Sequence, residues 1–175
     1  MVATVSVDVR RIEKNNMNYK DARVLLQMLV GDPVQAIESA KAIVGGRAKI
    51  YPAVLVDIAR TDEFNKWSRI AAVYALGFLG HRQSVPVLVR ILSDRQESLQ
   101  VRSHAAEALG NIRDSRSIPV LERVLMGRDR GSIKRWCVYA LSEINSPRAL
   151  HVLKRLAATT PTGVVAKELK SVFRA

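Results

Sequence analysis

Apolar and polar positions along the chain repeat as a block. "SRIAAVYALGFLGHRQSVPVLVRIL" (residues 68–92) returns as "VRSHAAEALGNIRDSRSIPVLERVL" (101–125) and again as "IKRWCVYALSEINSPRALHVLKRLA" (133–157). In the first half of each block the apolar residues fall in register: Ala72, Ala75, Leu76 and Leu79; Ala105, Ala108, Leu109 and Ile112; Cys137, Ala140, Leu141 and Ile144. The spacing i, i+3, i+4, i+7 is one face of a helix. The second half gives Val87, Leu88, Ile91 and Leu92, then Val120, Leu121, Val124 and Leu125, then Val152, Leu153, Leu156 and Ala157. That is a second amphipathic helix. Short polar turns, "GHRQS", "RDSRS" and "NSPRA", separate the two.

The local punctuation agrees with this reading. Ser84 and Ser117 stand where an N-cap is needed, with Pro86 and Pro119 in the first turn, where a missing N–H costs nothing. Gly77 and Gly110, matched by Ser142, are small where paired helices are expected to approach closely. Each block predicts a helical hairpin of roughly 32 residues, and a lone hairpin cannot bury both apolar faces, so neighbours must stack. "DPVQAIESAKAIVGG" followed by "RAKIYPAVLVDIARTD" reads as an earlier hairpin, started by Asp32-Pro33 and stopped by Gly45-Gly46.

The expected fold is all-α: a right-handed α-solenoid of about four stacked hairpins over residues 19–175, with a capping helix at each end. "NYKDARVLLQMLVG" is the cap in front. "TGVVAKELKSVFRA" closes the stack and is expected to bury Val165, Leu169, Val172 and Phe173. Residues 1–18 remain as an N-terminal tail, in which "VSVDVRR" alternates Val5, Val7 and Val9 with polar residues, the period of a strand. It is either a mobile tail or a strand that adds to a partner's sheet edge.

Composition narrows the class. A chain of 175 residues with 48% hydrophobic and 25% charged residues is globular and long enough for a substantial core. Aromatic residues make up 5%, so Ala, Val, Leu and Ile must fill the interior. Cys137 is the single cysteine, which excludes an intramolecular disulfide and a cysteine metal cluster. No apolar run approaches a membrane span of ~20 residues, and "MVATVSVDVRR" lacks the pattern of a secretory signal. A cytoplasmic protein without a membrane segment is expected.

Charge changes the picture more. The chain holds 28 Lys and Arg against 16 Asp and Glu, a net charge of +12. Residues 67–175 carry 18 of the basic residues, 14 of them arginine, against 8 acidic ones. Arginine suits fork-like recognition of carboxylate or phosphate. Arg90, Arg123 and Arg155 share one position of the second helix, with Asp57 at the matching place in the first hairpin and Glu122 and Lys154 beside the column. Arg69, Arg102 and Lys134 form another column at the start of the first helices, and the turns add Arg82, Arg113, Arg116 and Arg148.

Catalytic chemistry finds little support in these residues. Cys137 occupies the column of Ala72 and Ala105, which makes it a small core residue. His81, His104 and His151 sit at unrelated repeat positions, not at the i, i+4 spacing of a helical metal site. "GFLGHRQS" lacks the lysine of a phosphate-binding loop. Trp67 and Trp136 are expected to fill gaps at the start of first helices.

The "AAEALG", the Asp114 in the turn, the "IPVL" and the preceding "VR" resemble HEAT repeats, in the short bacterial variety associated with phycobilisome lyase subunits, over about residues 33–160. The resemblance implies a protein-binding scaffold whose second helices line a concave surface, so that Arg90, Arg123 and Arg155 would form a stripe along one groove. It also implies that basic residues at first-helix starts pair with turn carboxylates such as Asp114, holding repeats together. HEAT-repeat hydroxylases carry paired His-Glu dipeptides for iron; here His81-Arg82, His104-Ala105 and His151-Val152 stand instead, which disfavours that activity. HEAT-like DNA glycosylases use a basic cleft with aromatics and a carboxylate, for which no carboxylate stands out.

The expectation is therefore a non-enzymatic adaptor without cofactor or metal. Its basic groove, carried by Arg90, Arg123, Arg155, Lys154, Arg116 and Arg148, would bind an acidic segment of a partner protein. Nucleic-acid binding through phosphate contacts is the alternative, for which charge argues but interleaved aromatics do not. An accessory subunit resembling bilin lyase components is the third reading.

Overall fold

The computed structural model describes residues 24, 27–28, 32–46, 52–160 and 162–174. The expected tail over 1–18, its candidate strand, and most of the helix expected over 18–31 lie outside the described residues. Among the described residues the chain forms nine α-helices, two 3-10 turns and no strand: α1 Pro33–Val44, α2 Pro52–Arg60, α3 Lys66–Phe78, α4 Val85–Ser93, α5 Leu99–Ile112, α6 Ile118–Met126, α7 Gly131–Ile144, α8 Pro147–Thr159 and α9 Gly163–Arg174. Two compact units divide the chain, residues 1–76 and 77–175.

In the first unit the start and stop signals act as expected. The Asp32 carboxylate accepts the Gln35 N–H at 2.9 Å, and Pro33 opens α1. At the other end the Gly45 N–H reaches Lys41 O, and Gly46 turns away at φ 69°. Asn65 caps α3, its side-chain oxygen accepting from the N–H groups of Trp67 at 2.8 Å and Ser68 at 3.0 Å. Ala36, Ala40 and Ile43 of α1 are buried, as are Leu55, Ile58 and Ala59 of α2 and Ile70, Ala72 and Leu76 of α3.

The second unit stacks hairpins. α5 packs between α4 and α7, and α7 in turn packs against α6, α8 and α9. First helices meet at the small residues. A Cβ on Gly77 would stand 2.7 Å from Ala108 Cα, and one on Gly110 would stand 2.8 Å from Ala140 Cα. No ordinary Cβ tolerates such distances, so Gly110 sets how closely α5 and α7 approach, and Gly77 must be small where it meets Ala108.

Three expectations need correction. Ser84 and Ser117 do not cap the second helices. Each lies in helical conformation at the end of a 3-10 turn, and its hydroxyl donates back to the carbonyl of His81 or Asp114 at 2.6 Å. The turn itself supplies the ordered entry, and Asp114 caps the second of these turns by accepting the Arg116 N–H at 2.9 Å. In the third hairpin Ser146 does cap, accepting from the Ala149 N–H at 3.2 Å. Leu79 leaves the apolar stripe and is 41% exposed, because α3 ends at Phe78, whereas Ile112 and Ile144 remain inside α5 and α7.

α9 buries Ala166 and Leu169 but leaves Phe173 45% exposed, with Val165 and Val172 half-buried. Leu141, the matching position of α7, is fully buried in a helix against which α8 packs. α9 has no following helix among the described residues to do the same for Phe173. Pro86 and Pro119 do sit in the first turns of α4 and α6.

Candidate functional site

The basic column at the first-helix starts is occupied within the fold. Arg69 donates from Nε to the Ala59 carbonyl at 3.2 Å and pairs with Asp62 at 3.1 Å. Arg102 repeats the arrangement, its Nε reaching the Leu92 carbonyl at 2.9 Å and its Nη2 meeting Asp129 Oδ1 at 2.7 Å. Lys134 donates to the Gly127 carbonyl at 2.6 Å. The Ala59 and Leu92 carbonyls belong to the last turn of the preceding second helix and the Gly127 carbonyl to the cap of α6, where carbonyls lack intrahelical donors and carry partial negative charge. The carboxylates that meet the two arginines are Asp62 and Asp129, in the loops between blocks. Asp114 instead pairs with Arg116.

Arg116 binds within the turn. Its Nε and Nη2 both bond the Asp114 carboxylate, at 2.9 and 2.7 Å, and Nη2 also reaches the Arg82 carbonyl of the preceding turn at 3.0 Å. The Arg116 side chain bonding to Asp114 holds that carboxyl down at about 2, and the Arg116 N–H and the nearby Arg82 act in the same direction against burial. Arg148, one repeat on, is exposed at the start of α8.

The second-helix column presents its side chains to solvent. Arg90 and Arg123 lie in the last turns of α4 and α6, where a cation suits the helix dipole. Arg90, Arg123, Arg148 and Lys154 are exposed, and among the described residues none of them is ion-paired. Arg155 differs, because its Nη2 bonds Glu122 of α6 across the gap between second helices. The six candidate residues thus divide into four exposed cations, one cation paired to a neighbouring helix, and one held in a turn.

The outward side of α5 and α7 holds a cluster that the column reading of arginines did not single out. His104 Nδ1 lies 3.0 Å from Glu107 Oε2 on α5. On α7 the Trp136 and Tyr139 rings meet edge to face, 5.6 Å between centroids. The helices are joined by the Tyr139 hydroxyl, 3.1 Å from Asn111 Oδ1, and by Arg113 pairing with Glu143. Burial raises the Tyr139 phenol, and the charges of Glu143 and Glu107 raise it further. The sequence signal was present: His104/Trp136, Glu107/Tyr139 and Asn111/Glu143 are matched repeat positions. Trp136 therefore packs beside Tyr139, half-buried, and Trp67 lies with the Lys66 ammonium 4.9 Å from its ring centre. Both tryptophans are half-buried.

Cys137 is fully buried, and burial pushes its thiol far up, with Asp129 adding to the shift. Among the described residues no group of three or more His, Cys, Asp or Glu could hold a metal ion. No described helix is long and apolar enough to cross a membrane.

Stacked helical hairpins of one repeated sequence, latched by a basic residue at the starts of α3, α5 and α7, define an α-solenoid repeat protein. A family profile of HEAT repeats matches residues 52–139 and again residues 100–172, and the chain belongs to the HEAT-repeat family. No curated protein sequence matches it significantly. Among solved structures it is similar to a chain of the complex of CpcE and CpcF of phycocyanin lyase from Nostoc sp. PCC7120. The TM-score there is 0.70 at 16% identity, covering 86% of this chain and 96% of that one. It is also similar to human deoxyhypusine hydroxylase, with TM-score 0.62 and 16% identity, covering 90% of this chain but 62% of the hydroxylase. Both likenesses are likenesses of fold. The fold is an α-solenoid of a kind suited to protein interaction.

Proposed function

We propose that the chain is a non-enzymatic adaptor whose second-helix face binds an acidic segment of a partner protein. One observation carries the reading: Arg90 and Arg123 recur at one register of successive second helices, exposed and without an ion pair among the described residues, while the equivalent first-helix cations are bonded into the fold. Guanidinium groups at matched positions of stacked helices stand on the order of 10 Å apart, one helix diameter. Lys154 and Arg148 extend the basic character along α8. Arg116 contributes by holding the turn in place rather than by meeting the ligand.

The similar fold in the CpcE–CpcF complex supports a protein as the partner. It also supports an accessory subunit beside an enzyme, in which case the partner would itself be a catalytic component. The test is co-purification of the native partner, followed by the variant carrying Arg90→Glu, Arg123→Glu and Arg155→Glu. These positions lie off the apolar face, so the fold survives and binding is expected to fall at least tenfold. Nucleic acid would be revealed as the ligand by competition from random oligonucleotides and a log–log salt slope of about −0.7 to −0.9 per phosphate. Undiminished partner binding by the folded triple variant overturns the proposal.

A further inference from the structure

A chain with 5% aromatic residues is expected to use them where each buries most area, in the core. This one does not. Among the described residues the buried set contains no Phe, Trp or Tyr. In residues 77–175 two of the aromatics, Trp136 and Tyr139, stand together on the outward side of α7, half-buried, with Glu107 of α5 and Glu143 of α7 close enough to act on the Tyr139 phenol. Tyr139 is fixed there by its bond to Asn111 and by lying across Gly110, where an added Cβ would meet its ring at 3.4 Å.

We infer that this face is a second docking surface, and that it takes an arginine-bearing segment of a protein partner. The chemistry is the reverse of the second-helix stripe. Glu107 and Glu143 supply acceptor oxygens beside the rings, with Arg113, paired to Glu143, as the neighbouring cation. A guanidinium is attracted by these oxygens and stacks on an indole or phenol ring, a contact that strengthens as it is desolvated. Each carboxylate makes one such bond already, Glu107 with His104 and Glu143 with Arg113. A carboxylate has about four acceptor sites, so each can take a second donor. Arginine fits better than lysine because its plane stacks on a ring while its fork can bond a carboxylate through two N–H groups. Half-buried Trp and Tyr beside polar groups are also the composition of interaction surfaces. With the stripe, this gives an adaptor two faces of opposite preference, and the inference stands whether or not the stripe binds.

The test uses the full chain carrying Trp67→Phe, so that Trp136 is the remaining tryptophan. The probes are a 12-residue peptide of alternating Arg and Ser and its Lys and Glu counterparts. The Arg peptide is expected to shift Trp136 fluorescence saturably, the Lys peptide to bind several-fold more weakly, and the Glu peptide to leave Trp136 unchanged. Glu107→Gln with Glu143→Gln, nearly isosteric and on the surface, is expected to weaken the Arg peptide at least fivefold. Absence of a Trp136 response at 1 mM peptide overturns the inference, as does equal binding by the double variant. Self-association of the chain that the same double variant abolishes would also overturn it, by putting a second copy in the partner's place.

Discussion

Arg102 Nη2 and Asp129 Oδ1 meet at 2.7 Å across 27 residues of sequence, with 7% of each side chain exposed. The same guanidinium bonds the Leu92 carbonyl through Nε. One side chain therefore joins the end of α4, the start of α5 and the loop before α7. Removing one member of a buried pair leaves the other charged and unsolvated, which costs about 3–5 kcal/mol. Arg102→Ala and Asp129→Asn are each expected to lower urea stability by an amount of that order. Arg102→Met combined with Asp129→Leu should lose less than either single change. A loss below about 0.5 kcal/mol for Arg102→Ala would show that the latch holds nothing.

Gly110 and Gly80 are glycines for different reasons, and alanine separates them. At Gly110 a Cβ would stand 2.8 Å from Ala140 Cα, so Gly110→Ala must push α5 and α7 apart, at about 1–3 kcal/mol. At Gly80 there is open space but φ is 64°, so the cost of Gly80→Ala is backbone strain of about 1–2 kcal/mol. Adding Ala140→Gly is expected to recover part of the first loss and none of the second. Equal recovery in both would contradict the close-approach account.

The Asp114 carboxyl, held near 2 by Arg116, makes stability depend on acid. Its ordinary value is 3.8, so the folded state binds this proton more weakly than the unfolded chain. The stabilisation is complete above about pH 4 and is lost as pH falls through 4 toward 2. Asp114→Asn is therefore expected to be less stable at neutral pH and to flatten that part of the melting-temperature profile. A carboxyl titration for Asp114 with a midpoint near its ordinary value would remove the basis for this.

Much of the fold is legible in the sequence because repetition gives each position three readings. The apolar columns, the prolines at helix starts and the glycines at close approaches are all set by sterics and burial, which act locally. What the columns could not give is where each charge is neutralised. Arg69, Arg102, Arg116 and Arg155 look alike in sequence, yet three meet carboxylates in loops or turns and the fourth meets a neighbouring helix. The capping serines show the same limit. Ser84, Ser117 and Ser146 precede second helices, but a 3-10 turn supplants the cap in two of them. Long side chains and irregular turns are decided by three-dimensional neighbours that no period encodes.

Cys137 was legible for the opposite reason, since its column elsewhere holds Ala72 and Ala105, both fully buried. Burial pushes its thiol up, so thiolate is scarce and reagent cannot reach it. Labelling of the native protein is expected to proceed at the rate of unfolding. Cys137→Ala should cost on the order of 1 kcal/mol, while Cys137→Ser should cost more by burying a hydroxyl. Fast native labelling would place the thiol outside the core.

The pair between Arg155 and Glu122 gives a prediction specific to the stripe. Arg155 keeps 45% of its side chain exposed and Glu122 keeps 24%, so the pair is accessible and its strength is screened by water. Exposed pairs of this kind are worth about 0.2–1 kcal/mol. An acidic ligand on this face must compete with Glu122 for Arg155 and is also repelled by the Glu122 charge. Glu122→Gln removes both effects and is expected to tighten binding of an acidic partner about 1.5- to 5-fold, the factor equivalent to that energy. In an Arg155→Ala background the competition is already gone, leaving the weaker, salt-screened repulsion. The gain should then shrink and should vanish near 0.5 M salt. An equal gain in both backgrounds would mean that Arg155 does not meet the ligand, and the stripe would reduce to Arg90, Arg123 and Lys154.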